Sequence, residues 1–385
     1  MRITFFTPAS EGTGGFIRCF YLGKFLAKRG HEISLVCPGK ELSLHVSQKN
    51  IAGVTLITLP RSANLVKIIP LEFVNSIINC YLEIISRSDL IHLFSVVNPM
   101  SAGPTLLARI LKSLKLQKKK VLVDWEDWWG RGGIFQSLGK IIEVPGTIIE
   151  EKVPLFADSV TVVSEVLKKR ALRVGIQAGK VFKIPNGSDV DFIKPIPKLI
   201  AREKLGLPID KLILCHVGVA DLSQVYARIS KRYSDAILLV LGSFSRYAKV
   251  QTPKLDGIIY VGRQPSDKIP FYLGASDVLL LRQDDVASDW GRWPIRFGDY
   301  LAAGRPTVTP DIGEVAQIIR ESNCGLLAKP NDWEDFADRI IELAENPHLC
   351  EQLGRNARGV AEKDYSWQII ASKLEEVYRY VCDRH

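Results

Sequence analysis

Short apolar runs alternate with helical patterns along this 385-residue chain, and they occur in two successive series. The first series has strand-like runs at residues 2–8, 33–37, 90–94, 120–124 and 159–163. The second has them at residues 212–217, 237–241, 257–261, 278–281, 306–309 and 325–328. Because parallel strands need a crossover helix between them, the alternation predicts two Rossmann-like, doubly wound α/β domains in tandem.

Turn-forming residues separate the two series. Asn186-Gly187 is followed by Pro195 and Pro197, and the helical pattern stops there. A last helical stripe of apolar residues begins after Ser366 and must be buried against another element. We therefore predict an N-terminal domain over residues 1–190, a C-terminal domain over residues 191–365 and a terminal helix over residues 366–385.

Composition and charge limit the classes of protein that this chain can belong to. Hydrophobic residues make up 46% and charged residues 24%, which is typical of a globular protein. No apolar run approaches the roughly 18 residues of a membrane span, and residues 1–6 resemble a strand more than a signal peptide, so we predict a cytoplasmic protein. The net charge of +9 favours an acidic partner, which charge alone leaves open as a nucleotide, an anionic membrane or nucleic acid.

Metal and disulfide chemistry are not indicated. The seven cysteines are scattered and never in Cys-x-x-Cys spacing. Asp189-Val190-Asp191 matches an Asp-x-Asp metal motif in letters only, because it follows a turn where acidic residues are common. We predict no metal site.

A glycine-rich loop follows the first strand. Gly14 and Gly15 would let the backbone approach a phosphate closely, at the start of a helix that also carries Arg18. The alternative is a tight Rossmann turn with no ligand. Because no Gly-x-Gly-x-x-Gly is present, a nicotinamide dinucleotide site is disfavoured.

Several motifs, in this order, resemble the retaining glycosyltransferases of family 4, which have the GT-B architecture. They are Gly14-Gly15-Phe16-Ile17-Arg18, Arg29-Gly30-His31-Glu32, Val163-Ser164, residues 184–189, residues 275–278 and residues 292–306. The resemblance implies two domains that face each other across a cleft, with the last helix crossing back to the first domain. It also implies a UDP- or GDP-sugar donor as substrate, no cofactor or metal, and a glycan, lipid or small-molecule acceptor.

Residues 292–306 are the most specific of these motifs. Arg292 and Arg296 stand just before a helix, and their guanidinium groups suit a pyrophosphate and the charge that develops as a sugar leaves. The resemblance implies that Asp299 accepts hydrogen bonds from the ribose hydroxyls. The alternative is that both arginines are solvated surface charges and Asp299 is an ordinary helix residue.

The chain departs from the family pattern in two places. The first acidic residue of the Glu-x7-Glu pair would fall at Gly291, so contact with the donor sugar passes to Asp289 or is absent. The Arg and Lys expected after His216-Val217-Gly218 are also missing, so we assign phosphate neutralisation to Arg292 and Arg296. The alternative is that the protein has lost activity because these two basic residues are missing.

Acidic and aromatic residues follow the strand at residues 120–124. Glu126 and Asp127 stand among Trp125, Trp128 and Trp129, at the end of a strand where open α/β sheets bind ligands. Carboxylates accept hydrogen bonds from hydroxyls and indoles stack on sugars, so this loop is a candidate catalytic and sugar-binding site. The alternative is a tryptophan-rich packing corner.

Weaker signals complete the set of candidates. Gly262 and Arg263 follow a strand of the second domain and are candidates for contact with the nucleobase, although a plain surface loop would look the same. The basic residues 112–120 are a solvated helix end or a peripheral contact with the inner face of a membrane.

The resulting hypothesis is transfer of a sugar from a nucleoside diphosphate sugar to an acceptor hydroxyl with retention of configuration, and no nucleic-acid partner. Two alternatives stay open: a sugar-nucleotide epimerase of the same architecture, and a catalytically impaired nucleotide-sugar-binding protein.

Overall fold

The computed structural model describes residues 1–40, 45–60, 71–218, 220–242 and 256–383. The chain divides into two compact units, and each is described by itself. Unit 1 contains Met1–Asn186, Val286–Trp293 and Trp367–His385, and unit 2 contains Gly187–Asp285 and Pro294–Ser366.

The strands and helices follow the predicted alternation. In chain order the strands are β1 (Arg2–Phe6), β2 (Glu32–Pro38), β3 (Ser47–Ile51), β4 (Val54–Leu59), β5 (Leu90–Phe94), β6 (Lys120–Trp125), β7 (Ser159–Val162), β8 (Val181–Lys183), β9 (Ile213–Val217), β10 (Ile237–Leu241), β11 (Ile258–Gly262), β12 (Val278–Leu280), β13 (Thr307–Pro310) and β14 (Gly325–Ala328). The helices are α1 (Gly14–Lys28), α2 (Leu71–Ile85), α3 (Pro99–Ser113), α4 (Lys140–Lys152), α5 (Glu165–Arg173), α6 (Lys198–Leu205), α7 (Ser223–Arg232), α8 (Ile269–Ala275), α9 (Ala287–Gly291), α10 (Ile295–Ala302), α11 (Gly313–Ser322), α12 (Trp333–Glu345), α13 (Pro347–Asp364) and α14 (Trp367–Asp383). Short 3₁₀ helices cover Ile134–Leu138, Val153–Phe156, Ala178–Lys180 and Ser266–Lys268.

Local sequence explains many of these elements. Every residue of β5 and β10 is buried, as expected for strands of a parallel sheet that is covered on both faces. Side-chain caps open four of the described helices: Asn98 accepts from Met100 N in α3, Ser164 from Leu167 N in α5, Asp332 from Asp335 N in α12, and Asn346 from Leu349 N in α13.

Both sheets are doubly wound. In unit 1 the order is β3-β4-β2-β1-β5-β6-β7-β8, and neighbours are parallel except for the antiparallel pair β3 and β4. In unit 2 the order is β11-β10-β9-β12-β13-β14, and all neighbours are parallel. The order therefore reverses between β1 and β5 in unit 1 and between β9 and β12 in unit 2, which marks where such sheets bind ligands.

The terminal helix belongs to unit 1, as the resemblance implied. Trp367, Leu374 and Tyr378 of α14 lie in the same buried cluster as α1 and the strands of the first sheet. The Trp367 ring stacks on Tyr21 with centroids 5.8 Å apart. The Tyr378 hydroxyl lies 2.7 Å from His92 Nδ1 on β5. Helix α14 thus completes the core of unit 1.

The observed division differs from the predicted domains in one important segment. Residues 286–293 were expected in the second domain, but they pack with unit 1. Ser164 Oγ donates to the Gly291 carbonyl at 2.5 Å, and a Cβ placed on Gly291 would lie 3.3 Å from Leu167 of α5. These contacts join residues more than 120 positions apart, so local sequence patterns do not reveal them.

Membrane-spanning helices and metal-binding clusters are both absent from the described residues. Within the described ranges, no helix combines the length and apolar character needed to cross a bilayer. Across the same ranges, no group of three or more His, Cys, Asp or Glu side chains is arranged to hold a metal ion.

Candidate functional site

A cavity of about 560 Å³ lies at the carboxyl ends of β1, β5 and β6 in unit 1, where the strand order reverses. The residues that line it follow these strands, and they include Gly15, Ser95, Asn98, Glu126, Asp127 and Trp129. Among the described residues no lysine or arginine lines it. The cavity is therefore suited to hydroxyl groups that donate hydrogen bonds to carboxylates.

Gly14 and Gly15 open α1 beside this cavity. A Cβ on Gly15 would lie 3.0 Å from the Ala9 Cβ and 3.8 Å from Glu126 Oε1. The glycine therefore lets the loop after β1 approach the Glu126 carboxyl group closely.

The two acidic residues of the cavity hold protons more tightly than usual. Burial, with the charges of Asp124 and Asp127, raises the pKa of Glu126 to about 8. Burial also raises the pKa of Asp127 to about 6, although the Arg292 guanidinium opposes this. Both groups can change protonation near neutral pH, as groups in functional sites often do.

A buried carboxylate, Glu150, holds the loop that carries these residues. It accepts from Trp125 Nε1 at 3.0 Å and from the backbone N–H groups of Trp129 and Gly130 at 2.8 Å each. Arg170 Nη2 donates to it at 2.8 Å. Sequence reasoning missed Glu150, because it stands on α4, 24 residues after Glu126.

The three tryptophans divide between the two predicted roles. Trp125 is fully buried, and Trp128 donates to the Arg131 carbonyl and packs under the Arg170 guanidinium, 4.2 Å from its ring centroid. Trp129 lines the cavity. The packing-corner alternative thus describes Trp125 and Trp128, while Trp129 stays a candidate for sugar contact.

Arg292 and Asp289 join this site through the segment 286–293. Arg292 Nη1 lies 3.1 Å from Asp289 Oδ1, and its Nε lies 3.8 Å from Asp127 Oδ1. The Arg292 guanidinium therefore lies between carboxylates of unit 1, and the structure gives Arg292 and Arg296 different partners. We had expected the two to act as one pair on a pyrophosphate.

Arg18 is fully engaged inside unit 1. Its Nε and Nη2 donate to Asp124 at 2.8 and 2.9 Å, and its remaining N–H groups donate to the carbonyls of Ile184 and Pro185 and to Asn186 Oδ1. An arginine has five N–H donors, and all five are used here. This leaves none for the phosphate that we expected Arg18 to bind.

Arg296 lies at the equivalent place in unit 2, at the carboxyl end of β9. Its Nη1 donates to the Val217 carbonyl at 2.5 Å. A Cβ on Gly218, whose φ is +122°, would overlap this Nη1 atom, so only glycine leaves room for the guanidinium. The Tyr300 hydroxyl, one turn further along α10, accepts from Val217 N at 2.7 Å and donates to the Leu280 carbonyl at 3.3 Å.

His216 is a further polar group at this point, and sequence reasoning did not treat it as a site residue. Its Nδ1 lies 2.8 Å from the Leu280 carbonyl and must therefore donate to it. Burial and the Arg296 charge lower the pKa of His216 to about 3, so the ring is neutral and its Nε2 is an acceptor. Among the described residues this buried Nε2 has no hydrogen-bond partner.

Asp299 stands on α10, against the turn at residues 187–188. Ser188 Oγ donates to Asp299 Oδ1 at 2.7 Å. A Cβ on Gly298 would lie 2.9 Å from Gly187 C, so this glycine lets α10 approach the turn. Burial raises the pKa of Asp299 to about 7, and the Asp189 charge adds to the effect. Ser188 is a second neighbour that sequence reasoning missed.

Gly262 and Arg263 lie at the edge of the unit 2 sheet. Gly262 ends β11 with a φ of +77°, and β10 separates β11 from β9. Arg263 is exposed. Their contact with a nucleobase stays a prediction.

Two family models together match most of the chain. The model of "Glycosyltransferase Family 4" matches residues 13–192, and that of "Glycosyl transferases group 1" matches residues 213–360. The chain belongs to glycosyltransferase family 4. The two models follow the two units, apart from the segment 286–293 and the terminal helix.

Relatives of this family 4 chain match it at 24% identity over part of its length. D-inositol 3-phosphate glycosyltransferase 2 of Catenulispora acidiphila is 24% identical over 225 residues, which cover 53% of this chain and 51% of the relative. N-acetyl-alpha-D-glucosaminyl L-malate synthase of Bacillus anthracis is 24% identical over 189 residues, which cover 46% and 48%. The chain thus spans about half the length of the curated relatives that it matches.

Solved structures show that the family 4 chain has the GT-B fold. Sucrose-phosphate synthase from Thermosynechococcus elongatus has a TM-score of 0.77 at 19% identity, with 99% of this chain and 98% of that chain covered. Anabaena HepE in complex with UDP and glucose has a TM-score of 0.71 at 15% identity, with 98% and 99% covered. The predicted fold class is therefore confirmed.

Proposed function

We propose that the protein transfers a sugar from a UDP- or GDP-sugar to an acceptor hydroxyl, with retention of configuration. One observation carries the proposal: the first sheet has acidic side chains where its strand order reverses, and the second has a basic side chain at the corresponding place. In unit 1 these are Glu126 and Asp127, and in unit 2 the basic group beside the end of β9 is Arg296. The first set suits hydroxyls, and the second suits phosphates.

In unit 2, Arg296 neutralises the diphosphate. The family's usual basic residues after β9 are absent from the sequence, and the Arg296 guanidinium lies where they would begin, beside Val217 and Gly218. A guanidinium there binds the ground state and stabilises the extra charge that appears as the diphosphate leaves. Because this group supplies the positive charge, the proposed reaction requires no metal ion.

Asp299 binds the ribose in its ionised form. One oxygen already accepts from Ser188, and the carboxylate has further lone pairs for the two ribose hydroxyls. The unpartnered Nε2 of His216 is suited to accept a hydrogen bond from a donor hydroxyl or from a water molecule. The complexes of Anabaena HepE with UDP and with UDP-glucose support a nucleotide-sugar donor.

In unit 1, Glu126 and Asp127 orient sugar and acceptor hydroxyls in the cavity. The backbone of Gly14 and Gly15 contacts the donor phosphates, and Trp129 offers its ring to a sugar. Asp289 contacts the donor sugar in place of the missing family acid, and Arg292 holds Asp289 and Asp127 in position. The acceptor oxygen forms the new glycosidic bond as the bond from the sugar to the phosphate breaks, and its proton passes to the ionised Glu126 carboxylate.

A panel of nucleoside diphosphate sugars tests the proposal. Thermal shift identifies the bound donors, since a ligand that binds only the folded state raises its stability. Slow release of UDP or GDP from one donor, followed by NMR of the product anomer with an accepted alcohol, is the expected result. Epimer formation without release would instead identify an epimerase, and binding without turnover would identify a catalytically impaired protein.

A further inference from the structure

Helix α4 exposes large aliphatic side chains along one face. Ile141 is 90% exposed, Val144 50% and Ile148 57%. The spacing of three and four residues puts these side chains on the same side of the helix. Solvation of such a stripe is unfavourable, and contiguous exposed apolar surface on a folded domain marks an interaction site.

Two neighbouring helices have the same feature. Leu106, Ile110 and Leu114 are exposed at every fourth residue, the first two on α3 and the third directly after it. Exposed residues of α2 follow a similar spacing at Ile77, Tyr81 and Ile84. Helix α3 packs against α2 and against the 3₁₀ helix Val153–Phe156, which packs against α4. We call the exposed side chains named on α2, α3 and α4 the apolar surface.

Basic side chains surround the apolar surface. Arg109, Lys115, Lys118 and Lys140 are exposed on or beside α3 and α4. The described acidic groups of the same region are buried, half-buried or paired: Glu83 is buried, Glu143 is half-buried on α4, Asp158 is paired with Lys112, and Glu151 is paired with Arg170. The region therefore combines aliphatic side chains with an excess of positive charge.

This combination fits a lipid bilayer better than a second copy of the chain. In a symmetric dimer the same patch meets itself, so Arg109, Lys115 and Lys118 of both copies would be brought together. An anionic bilayer instead offers a complementary charge to the basic groups and an apolar interior to the isoleucines and leucines.

We propose that the apolar surface binds an anionic lipid bilayer. Its aliphatic side chains enter the boundary between headgroups and acyl chains, and the basic side chains contact lipid phosphates. The Phe135 ring lines the unit 1 cavity and packs against the buried Gly146 of α4, so the helix that carries part of the proposed surface adjoins that cavity. If the proposed transfer reaction is correct, this arrangement gives the enzyme an acceptor that is attached to a lipid.

Vesicle flotation tests the proposal with the full chain. The protein should float with phosphatidylcholine vesicles that contain roughly one-third phosphatidylserine at low salt, and binding should weaken with added salt and with pure phosphatidylcholine. The variant with Ile141→Glu and Ile148→Glu should lose at least about tenfold in binding, since it puts two charges into the apolar layer. The matched control is Ile200→Glu, because Ile200 is 54% exposed on α6 of unit 2.

The results of this experiment distinguish a lipid bilayer from a second copy of the chain as the partner of the apolar surface. Failure of the unmutated protein to float, or equal flotation of the Ile141/Ile148 variant, would overturn the proposal. A concentration-dependent dimer that the double variant dissociates, without any vesicle binding, would assign the surface to a second copy. Thermal melting of the variant establishes that it folds. Release of UDP or GDP from a soluble donor should be unchanged in it, so a failure of the transferase proposal would be seen separately.

Discussion

The two units use the same sheet topology but differ in the charge at the point where strand order reverses. In unit 1 the side chains there are Glu126 and Asp127, whose pKa values burial raises to about 8 and about 6. In unit 2 the group there is Arg296, with a neutral His216 beside it. A shared fold therefore fixes where ligands bind, while a few side chains after the strands decide which chemistry binds.

The two units also differ in how their candidate groups are held. Glu150 anchors the acidic loop of unit 1 by accepting hydrogen bonds from one indole and two backbone N–H groups, and Arg170 donates to the same carboxylate. In unit 2, Arg296 depends on the absence of a side chain at Gly218. Changes to Glu126 and to Arg296 should thus have separable effects on acceptor and donor.

The largest expected effect is that of Glu126→Gln. Turnover should fall by about 10²–10⁴ if the ionised carboxylate takes part in proton transfer, while UDP or GDP affinity stays the same. In the unmutated enzyme kcat/KM should rise with pH towards about 8, where Glu126 ionises, and the variant should lose this rise. A pH profile that the substitution leaves unchanged would remove Glu126 from catalysis.

The same substitution should also change the free energy of unfolding, in a direction that follows from the pKa of Glu126. The pKa of Glu126 is higher in the folded protein than its ordinary value of 4.5, so the folded state holds the proton more tightly. Stability is therefore full below about pH 4.5 and falls as pH rises towards about 8. Urea denaturation should find Glu126→Gln more stable than the unmutated protein at pH 8, with the difference shrinking in acid.

Arg296→Ala should affect the donor site in unit 2. Loss of a preorganised cation at the leaving group should lower kcat by roughly 10²–10³ and weaken diphosphate binding. Arg296→Lys keeps the charge but not the planar fork, so it should recover part of the affinity. Steady-state kinetics at a fixed acceptor concentration would measure kcat and donor affinity for both variants. A nearly normal Arg296→Ala enzyme would be incompatible with a role of Arg296 at the diphosphate.

Asp299→Asn should have a smaller effect, confined to the ribose. The expected loss is about 1.5–3 kcal/mol of donor binding, because hydrogen bonds to a charged group are stronger than those to an amide. Because burial raises the pKa of Asp299 to about 7, donor affinity of the unmutated protein should increase as pH rises through this value. Titration with 2′-deoxyribose donors is the check: they should bind more weakly to the unmutated protein and lose little in the variant.

The smallest expected effect concerns the terminal helix, which completes the core of unit 1. Tyr378→Phe removes the partner of buried His92 Nδ1 and should cost about 1–3 kcal/mol of unfolding free energy. Tyr380→Phe, on the same helix but 40% exposed, is the matched control and should change stability by less than about 0.5 kcal/mol. Equal denaturation midpoints for the two variants would mean that the Tyr378 hydroxyl contributes nothing.

Sequence patterns predicted much of the fold because the relevant signals are local. Strand runs, the break near Asn186-Gly187 and the apolar stripe of α14 each reflect a few neighbouring residues. The position of Glu126 and Asp127 after β6 was enough to predict a ligand-binding edge, and the structure has a cavity there.

The remaining features depend on contacts between distant residues. The segment 286–293 joins unit 1 through Ser164 and Leu167, and Arg18 is saturated by Asp124 and by residues 184–186. Neighbouring residues in the sequence do not distinguish an arginine that binds phosphate from one that donates hydrogen bonds to a turn. The same holds for Ser188 beside Asp299 and for His216 beside Arg296.

Isothermal titration of UDP and GDP into three proteins tests the division of charge between the two units most directly. The unmutated protein and Glu126→Gln should bind the same nucleoside diphosphate with equal Kd, and Arg296→Ala should bind it at least about tenfold more weakly. Unchanged affinity in Arg296→Ala, with weaker binding in Glu126→Gln, would contradict the assignment of the diphosphate to unit 2.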